Sequence, residues 1–470
     1  MNQPVSPRLI DRLRSLRTLW RDIAGSSREV PTVRPDLPPD DADSLREQLR
    51  ACLVGKGGEV SARARAAALG RNYLGLSAEG RARFLGILAD EFDTDAEAVD
   101  AAMARVVAAT ARGDRQAAER ELRQALEAPR VRLLTQFNAL PEGVKFLVDM
   151  RAELIRLARQ DARLQGLEGD LKALLAGWFD VGFLELRRIT WRSPALLLEK
   201  IIAYEAVHAI RGWEDLKNRL DSDRRLYAFF HPRMPDEPLI FVEVALVRGM
   251  AGNVHDLLDV AAPVGDPTRA DTAIFYSISS AQKGLAGISF GNFLIKRVVD
   301  SLAGEFPNLR TFATLSPIPG FMDWLRDKLN RGEPGLLTAM EHRAVAEIAG
   351  GGGAKGSLKA WLAGGDWHLN QDIAEALKGP LMRLCTRYLA VEKRPDGRAL
   401  DPVAHFHLSN GARMERLNWM ADTSPKGLRE SAAMMMNFLY KLDDIEANHE
   451  AYSGQGKITM SSAMRALLKG

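Results

Sequence analysis

Between Ile274 and Gly320 the hydrophobic pattern changes period twice, and the changes predict a strand, a loop, a helix and a second strand in direct succession. Ile274-Phe275-Tyr276-Ser277-Ile278-Ser279 alternates apolar with polar or amphipathic side chains and is rich in β-branched and aromatic types, which suits a pleated surface. Glycines follow at 284, 287 and 291, and Asn292 stands where a helix N-cap would stand. From Phe293 to Phe306 the residues Leu294, Ile295, Val298, Val299, Leu302 and Phe306 recur at helical spacing, opposite Lys296, Arg297 and Asp300. Pro307 ends that helix, because it has no N–H to donate and pushes its predecessor out of the helical region. Arg310-Thr311-Phe312-Ala313-Thr314-Leu315 then reads as a strand that delivers Ser316 into the turn Pro317-Ile318-Pro319-Gly320.

Elsewhere the periods divide the chain in two. An amphipathic first helix runs through Ile10, Leu13, Leu16 and Trp20, and Pro31, Pro35, Pro38 and Pro39 make an extended linker. From there to Trp178 the pattern is helical, with stripes such as Phe84, Leu85, Leu88 and Phe92, or Leu164, Leu167, Leu171, Leu174 and Leu175. The period falls to two at Phe183–Trp191, so the boundary is expected near residue 180. A helix over 194–210 follows, then strands at Leu226–Phe230 and Leu239–Val247, the latter apolar enough to be central. Ala432–Leu442 reads as a late helix carrying Met434, Met435, Met436, Phe438 and Tyr440. The expected fold class is α+β: an N-terminal all-α helical bundle over 1–180, expected to mediate oligomerisation, and an α/β domain over 181–470.

Composition narrows the function classes. With 470 residues, 46% apolar and 27% charged, the chain is an ordinary globular protein of two-domain size. Its net charge of +3 gives no support to nucleic-acid binding. Cys52 and Cys385 fall in no metal or disulfide spacing, and no run approaches the ~20 apolar residues that span a bilayer. An Arg-rich start resembles a transit peptide, but Asp11 and Asp22 interrupt it. A reduced, cytoplasmic protein without metal or membrane partner is expected.

The chemistry concentrates in the central stretch. A strand, a glycine loop and a helix N-terminus can bind an anion, since free N–H groups and the positive end of the helix dipole face the loop; glycines also make ordinary turns. The spacing is neither the dinucleotide fingerprint nor a P-loop. Gly350-Gly351-Gly352-Gly353-Ala354-Lys355-Gly356-Ser357 lacks the P-loop order as well and reads as a flexible connection. In His405-Phe406-His407 a strand would point both imidazoles to one face, where metal binding or packing are the plain alternatives.

Phe275-Tyr276-Ser277-Ile278-Ser279, Gly284-Leu285-Ala286-Gly287, Phe293–Val299 and Leu315-Ser316-Pro317-Ile318-Pro319-Gly320-Phe321 closely resemble the malonyl-CoA decarboxylase family, as do His231–Leu239, Asp401–Leu408, Asn410-Gly411-Ala412 and Asn418–Asp422. The resemblance runs over roughly 180–450. It implies decarboxylation of malonyl-CoA to acetyl-CoA through an enolate stabilised at the thioester, with no cofactor, in a homo-oligomer, dimer or tetramer. Ser316 and His407 match the family's catalytic serine and histidine, with His407 as proton donor. Ala286, Gly287, Ile288, Ser289, Phe290, Gly291 and Asn292 are the expected CoA-binding turn, and Ser277 and Tyr440 are further candidates at the site. Ser289 stands where animal members have a glutamate, and His405 where relatives have an asparagine. The C-terminus, Leu467-Leu468-Lys469-Gly470, lacks the Ser-Lys-Leu peroxisomal address. The strand order resembles the acetyltransferase-like fold of acyl-CoA enzymes, in which two strands splay apart around the pantetheine arm. That fold also serves acyl-CoA-dependent N-acyltransferases, the chief alternative reading, and a non-catalytic CoA-sensing or helical scaffold protein is a second.

Overall fold

The structure is a computed structural model that describes residues 20, 33–54, 58–288, 294–348 and 354–469. The first helix apart from Trp20, the turn residues Ser289, Phe290, Gly291 and Asn292, and Gly350–Gly353 of the glycine run lie outside the described residues. The chain forms two compact units. One comprises Met1–Leu184, His231–Asp236 and Gln282–Phe290; the other comprises Glu185–Phe230, Glu237–Ala281 and Gly291–Gly470.

The first unit is helical, and local rules set its helix boundaries. Ser77 accepts the N–H of Gly80 ahead of Ala78–Glu91, Asp95 accepts those of Glu97 and Ala98 ahead of Ala96–Ala108, and Pro129 opens Pro129–Gln136, where its missing N–H costs nothing. The apolar stripes face inward: Phe84, Leu85 and Leu88 are buried, as are Leu167, Leu171 and Leu175. Trp20, Tyr73, Phe84, Phe137 and Phe146 form an aromatic core with ring centroids 4.9–6.2 Å apart.

The second unit holds a seven-stranded mixed sheet made of β1 (Glu185–Ile189), β2 (Arg224–Phe230), β3 (Ile240–Val247), β4 (Thr272–Ser280), β5 (Thr311–Thr314), β6 (Arg413–Asn418) and β7 (Met435–Leu439), in the order β1-β2-β3-β4-β5-β7-β6. Every neighbouring pair is antiparallel except β4 and β5, whose connection runs through the helix Leu294–Glu305. That helix buries Leu294, Ile295, Val298, Val299 and Leu302, the stripe read from the sequence. Parallel pairing runs from Thr272/Thr311 to Phe275/Thr314 and closes with the Leu315 N–H on the Phe275 carbonyl. There the strands part: β4 continues along β3 to Ser280, while Ser316 bonds in both directions with Met436 of β7.

Three elements differ from the sequence reading. Residues 354–357, read as part of a flexible connection, open the helix Ala354–Gly364. The α-helix expected over Ala432–Leu442 is absent; Met435–Leu439 is a strand whose residues are buried almost throughout, and such a strand shows no exposed polar face to betray its period. The helix expected over 194–210 stops at Tyr204, because the Glu205 carboxylate takes the N–H groups of Val207 and His208, both at 2.8 Å, and turns the chain.

Candidate active site

Ser316 follows β5 and is pinned by its own backbone: its N–H donates to the Met436 carbonyl at 2.9 Å, and its carbonyl accepts from Met436 at 2.8 Å. His407 comes from the helix Pro402–Ser409, with Pro402 in the first turn and Asp401 at the N-cap accepting from Val403 and Ala404 at 2.9 and 2.8 Å. On a helix, residues two apart point to different sides. The two imidazoles accordingly diverge: His405 Nδ1 lies 2.8 Å from the Tyr452 hydroxyl, while His407 turns inward. The shared face that a strand would have given them is absent, and among the described residues no group of His, Cys, Asp and Glu side chains could hold a metal ion.

His407 is 2% exposed. Its Nε2 lies 3.0 Å from Ser316 Oγ and its Nδ1 2.8 Å from the Tyr440 hydroxyl, and the ring stacks on Phe438 with centroids 4.7 Å apart. Ser316 Oγ also donates to Thr314 Oγ1 at 2.8 Å, two residues back on the same side of the chain. Burial pushes the imidazole pKa down to about 3, so the ring is neutral near pH 7, and burial pushes the Tyr440 phenol up. Asp401, 1% exposed, is pushed up to about 6 by burial, against the hydrogen bonds it accepts from Ala404 and Tyr388.

Ser277 is elsewhere. Its hydroxyl donates to Glu205 at 2.8 Å, and Ser279 donates to the other oxygen of the same carboxylate at 3.0 Å. The structure thus brings Ser316, His407 and Tyr440 together and leaves Ser277 in a separate hydrogen-bonded group on the part of β4 that has left β5. In the first unit, the turn after β4 is tied down by Arg151, which is 2% exposed. Its guanidinium donates to the carbonyls of Gly284 and Ala286 at 2.6 and 2.9 Å and to Glu168 at 2.7 Å. Gly284 packs so closely that a Cβ would stand 1.7 Å from the Val148 carbonyl oxygen, and Gly287 has φ +73°, the left-handed region that favours glycine. Ala286 and Gly287 are exposed, Ile288 is buried, and Lys172 Nζ lies 3.3 Å from where a Gly287 Cβ would be.

Sequence reasoning missed Thr314, Glu205, Arg151 and the capping role of Asp401. The Thr-x-Ser spacing and the Asp-Pro pair were signals for the first and last. The Ser277 partner of Glu205 and the Gly284 partner of Arg151 lie 72 and 133 residues away, beyond the reach of local pattern.

The chain matches the family model of the malonyl-CoA decarboxylase C-terminal domain over residues 182–470 and that of the N-terminal domain over 92–179. It is 40% identical over 453 residues to the mitochondrial malonyl-CoA decarboxylase of Rattus norvegicus, covering 93% of this chain and 90% of the relative. Solved malonyl-CoA decarboxylase structures are similar: that from Rhodopseudomonas palustris (TM-score 0.83, 42% identity) and that from Agrobacterium vitis (TM-score 0.81, 40% identity), each covering 90% of this chain and 99% of its own. Two matching family models in chain order, a relative of nearly equal length and solved structures of the same kind lead to one conclusion: the chain belongs to the malonyl-CoA decarboxylase family of carboxy-lyases.

Proposed function

We propose that the protein decarboxylates malonyl-CoA to acetyl-CoA and carbon dioxide. Breaking the bond to the carboxylate leaves an electron pair on the α-carbon, delocalised into the thioester as an enolate. The thioester is the electron sink, so the protein must offer donors where charge develops, a pocket poor in water, and a proton for the carbon. His407 gives that proton from Nε2 and Ser316 is its partner at the malonyl group. A neutral imidazole suffices, because a thioester α-carbon is a weaker acid than an imidazole N–H, and a neutral imidazole acting as an electrophile has precedent among enzymes. One proton from water restores the ring after product leaves, matching the net uptake of the reaction. The observation that carries this reading is the 3.0 Å contact between Ser316 Oγ and His407 Nε2.

For the second unit we propose the acetyltransferase-like fold, with the pantetheine arm in the gap where β4 and β5 part. The strand order and the single parallel pair support it. We read Ala286–Asn292 as the turn that receives the CoA phosphates; the exposed left-handed Gly287 and the Lys172 ammonium beside it favour an anion there. We also read the first unit as an oligomerisation element. Ala96–Ala108 and Arg112–Ala125 bury one alanine each and leave Met103 and Val107 exposed, a surface suited to a second copy. No helix among the described residues is long and apolar enough to cross a membrane, and both cysteines are free and buried; a cytoplasmic site of action is our reading.

Incubating the purified protein with malonyl-CoA, with and without an amine, tests the activity. Equal amounts of acetyl-CoA and carbon dioxide without any acceptor are expected; a requirement for the amine, or no carbon dioxide at all, would refute it.

A further inference from the structure

We infer that Thr314 and Tyr440 hold the ring proton of His407 on Nε2, a positioning role that rests on the reading of His407 as the proton donor. The groups form one line. Tyr440 Oη lies 2.8 Å from Nδ1, Nε2 lies 3.0 Å from Ser316 Oγ, Ser316 Oγ lies 2.8 Å from Thr314 Oγ1, and Thr314 Oγ1 lies 3.5 Å from the Met436 carbonyl oxygen. All four side chains are buried, so bulk water does not complete their hydrogen bonds.

A neutral imidazole carries one proton, and so does each of the three hydroxyls, which leaves four protons to serve four contacts. The Met436 carbonyl can only accept, which fixes one end of the line. At the other end, the Tyr440 hydroxyl has a single partner among the described residues, His407 Nδ1. If Nδ1 carried the ring proton, the Tyr440 proton would be buried without an acceptor, which native proteins avoid. With Tyr440 donating to Nδ1, every proton is placed: Nε2–H to Ser316 Oγ, Ser316 to Thr314, and Thr314 to the Met436 carbonyl. Thr314 Oγ1 keeps a second lone pair for the N–H of Phe438, at 3.1 Å.

The direction of the line has a chemical consequence. His407 meets Ser316 as a donor and spends its lone pair on Tyr440, so Ser316 has no base to take its proton. The pair is built to give a proton away, unlike a serine–histidine pair that forms an acyl-enzyme, where the imidazole must accept from the hydroxyl. Tyr440 acts at Nδ1, across the ring from the nitrogen that faces Ser316, and Thr314 acts by occupying the Ser316 proton.

Nitrogen-15 NMR of the full-length protein labelled at histidine, with His407 assigned by its loss in His407→Asn, reads the tautomer directly. The expected result is a protonated Nε2 and a bare Nδ1 in the unsubstituted protein, and a mixture of both tautomers in Tyr440→Phe with kcat lowered about tenfold or more and KM changed by less than about threefold. Thr314→Val should lose kcat to a similar degree and Thr314→Ser should restore it. A protonated Nδ1 in the unsubstituted protein overturns the inference, as does an unchanged Nε2 preference in Tyr440→Phe or full kcat in Thr314→Val. A separate outcome, full activity in His407→Asn, would sink the reading of His407 as proton donor, whatever tautomer the ring shows.

Discussion

Ser316 Oγ and His407 Nε2 stand 3.0 Å apart although 91 residues separate them in the chain. Two independent devices produce that distance: the paired backbone bonds of Ser316 to Met436, and the Asp401-capped helix that carries His407. Neither depends on the other's local sequence. Changes to each device therefore have separable effects.

The cap can be tested first. Replacing Asp401 with Ala removes the acceptor for the N–H groups of Val403 and Ala404 and should cost about 1–2 kcal/mol of stability. Because burial already pushes Asp401 up to about 6, Asp401→Asn, which keeps an acceptor without a buried charge, should retain most of that stability. Urea unfolding of both variants near pH 7 checks the order; equal losses would contradict it.

The buried imidazole ties stability to pH. Its folded pKa, about 3, lies below its ordinary 6.5, so between these values the unfolded chain binds more protons than the folded one. The stability His407 contributes is complete above about pH 6.5 and is lost as pH falls toward 3. Glu243, pushed up to about 7 by burial, works in the opposite direction: its contribution is present at low pH and is lost as pH rises through 7. The difference between the unsubstituted protein and His407→Asn isolates the histidine. Unfolding free energies at pH 7.5 and pH 5 should fall more steeply in the unsubstituted protein; parallel falls would contradict the buried neutral ring.

Arg151 offers a handle on the turn after β4. Arg151→Ala leaves the carbonyls of Gly284 and Ala286 and the Glu168 carboxylate without their shared donor, which should cost about 3 kcal/mol. Hydrogen exchange at Leu285–Ile288 should accelerate, and KM for malonyl-CoA should rise about tenfold with kcat nearly kept, the signature of lost uniform binding. Unchanged KM together with faster exchange would remove the turn from the substrate-binding account.

How much of this was legible in the sequence depended on whether each residue's partners were local. β4 and the helix Leu294–Glu305 announce themselves: the helix buries one face and its period follows, and β4, although buried almost throughout, alternates Tyr276, Ser277, Ile278 and Ser279 at period two. β7 does not, since it is short, its one polar residue, Asn437, marks no alternation, and Met434-Met435-Met436 reads equally as helix. His407 was found through motif resemblance, but its helix was not; the Asp401-Pro402 pair held the information as an N-cap followed by a first-turn proline. The bonds of Glu205 to Ser277 and of Arg151 to Gly284 were invisible because a carboxylate or guanidinium chooses distant partners only once the chain is folded.

The central claim is that His407 and Ser316 carry out the decarboxylation, and the most direct measurement is carbon dioxide release from malonyl-CoA by the unsubstituted protein, His407→Ala and Ser316→Ala at saturating substrate. The account predicts release without an acceptor by the unsubstituted protein and a fall in kcat of about 10²–10⁴-fold in His407→Ala, with KM little changed and a smaller fall in Ser316→Ala. Carbon dioxide release by His407→Ala at the unsubstituted rate would contradict it.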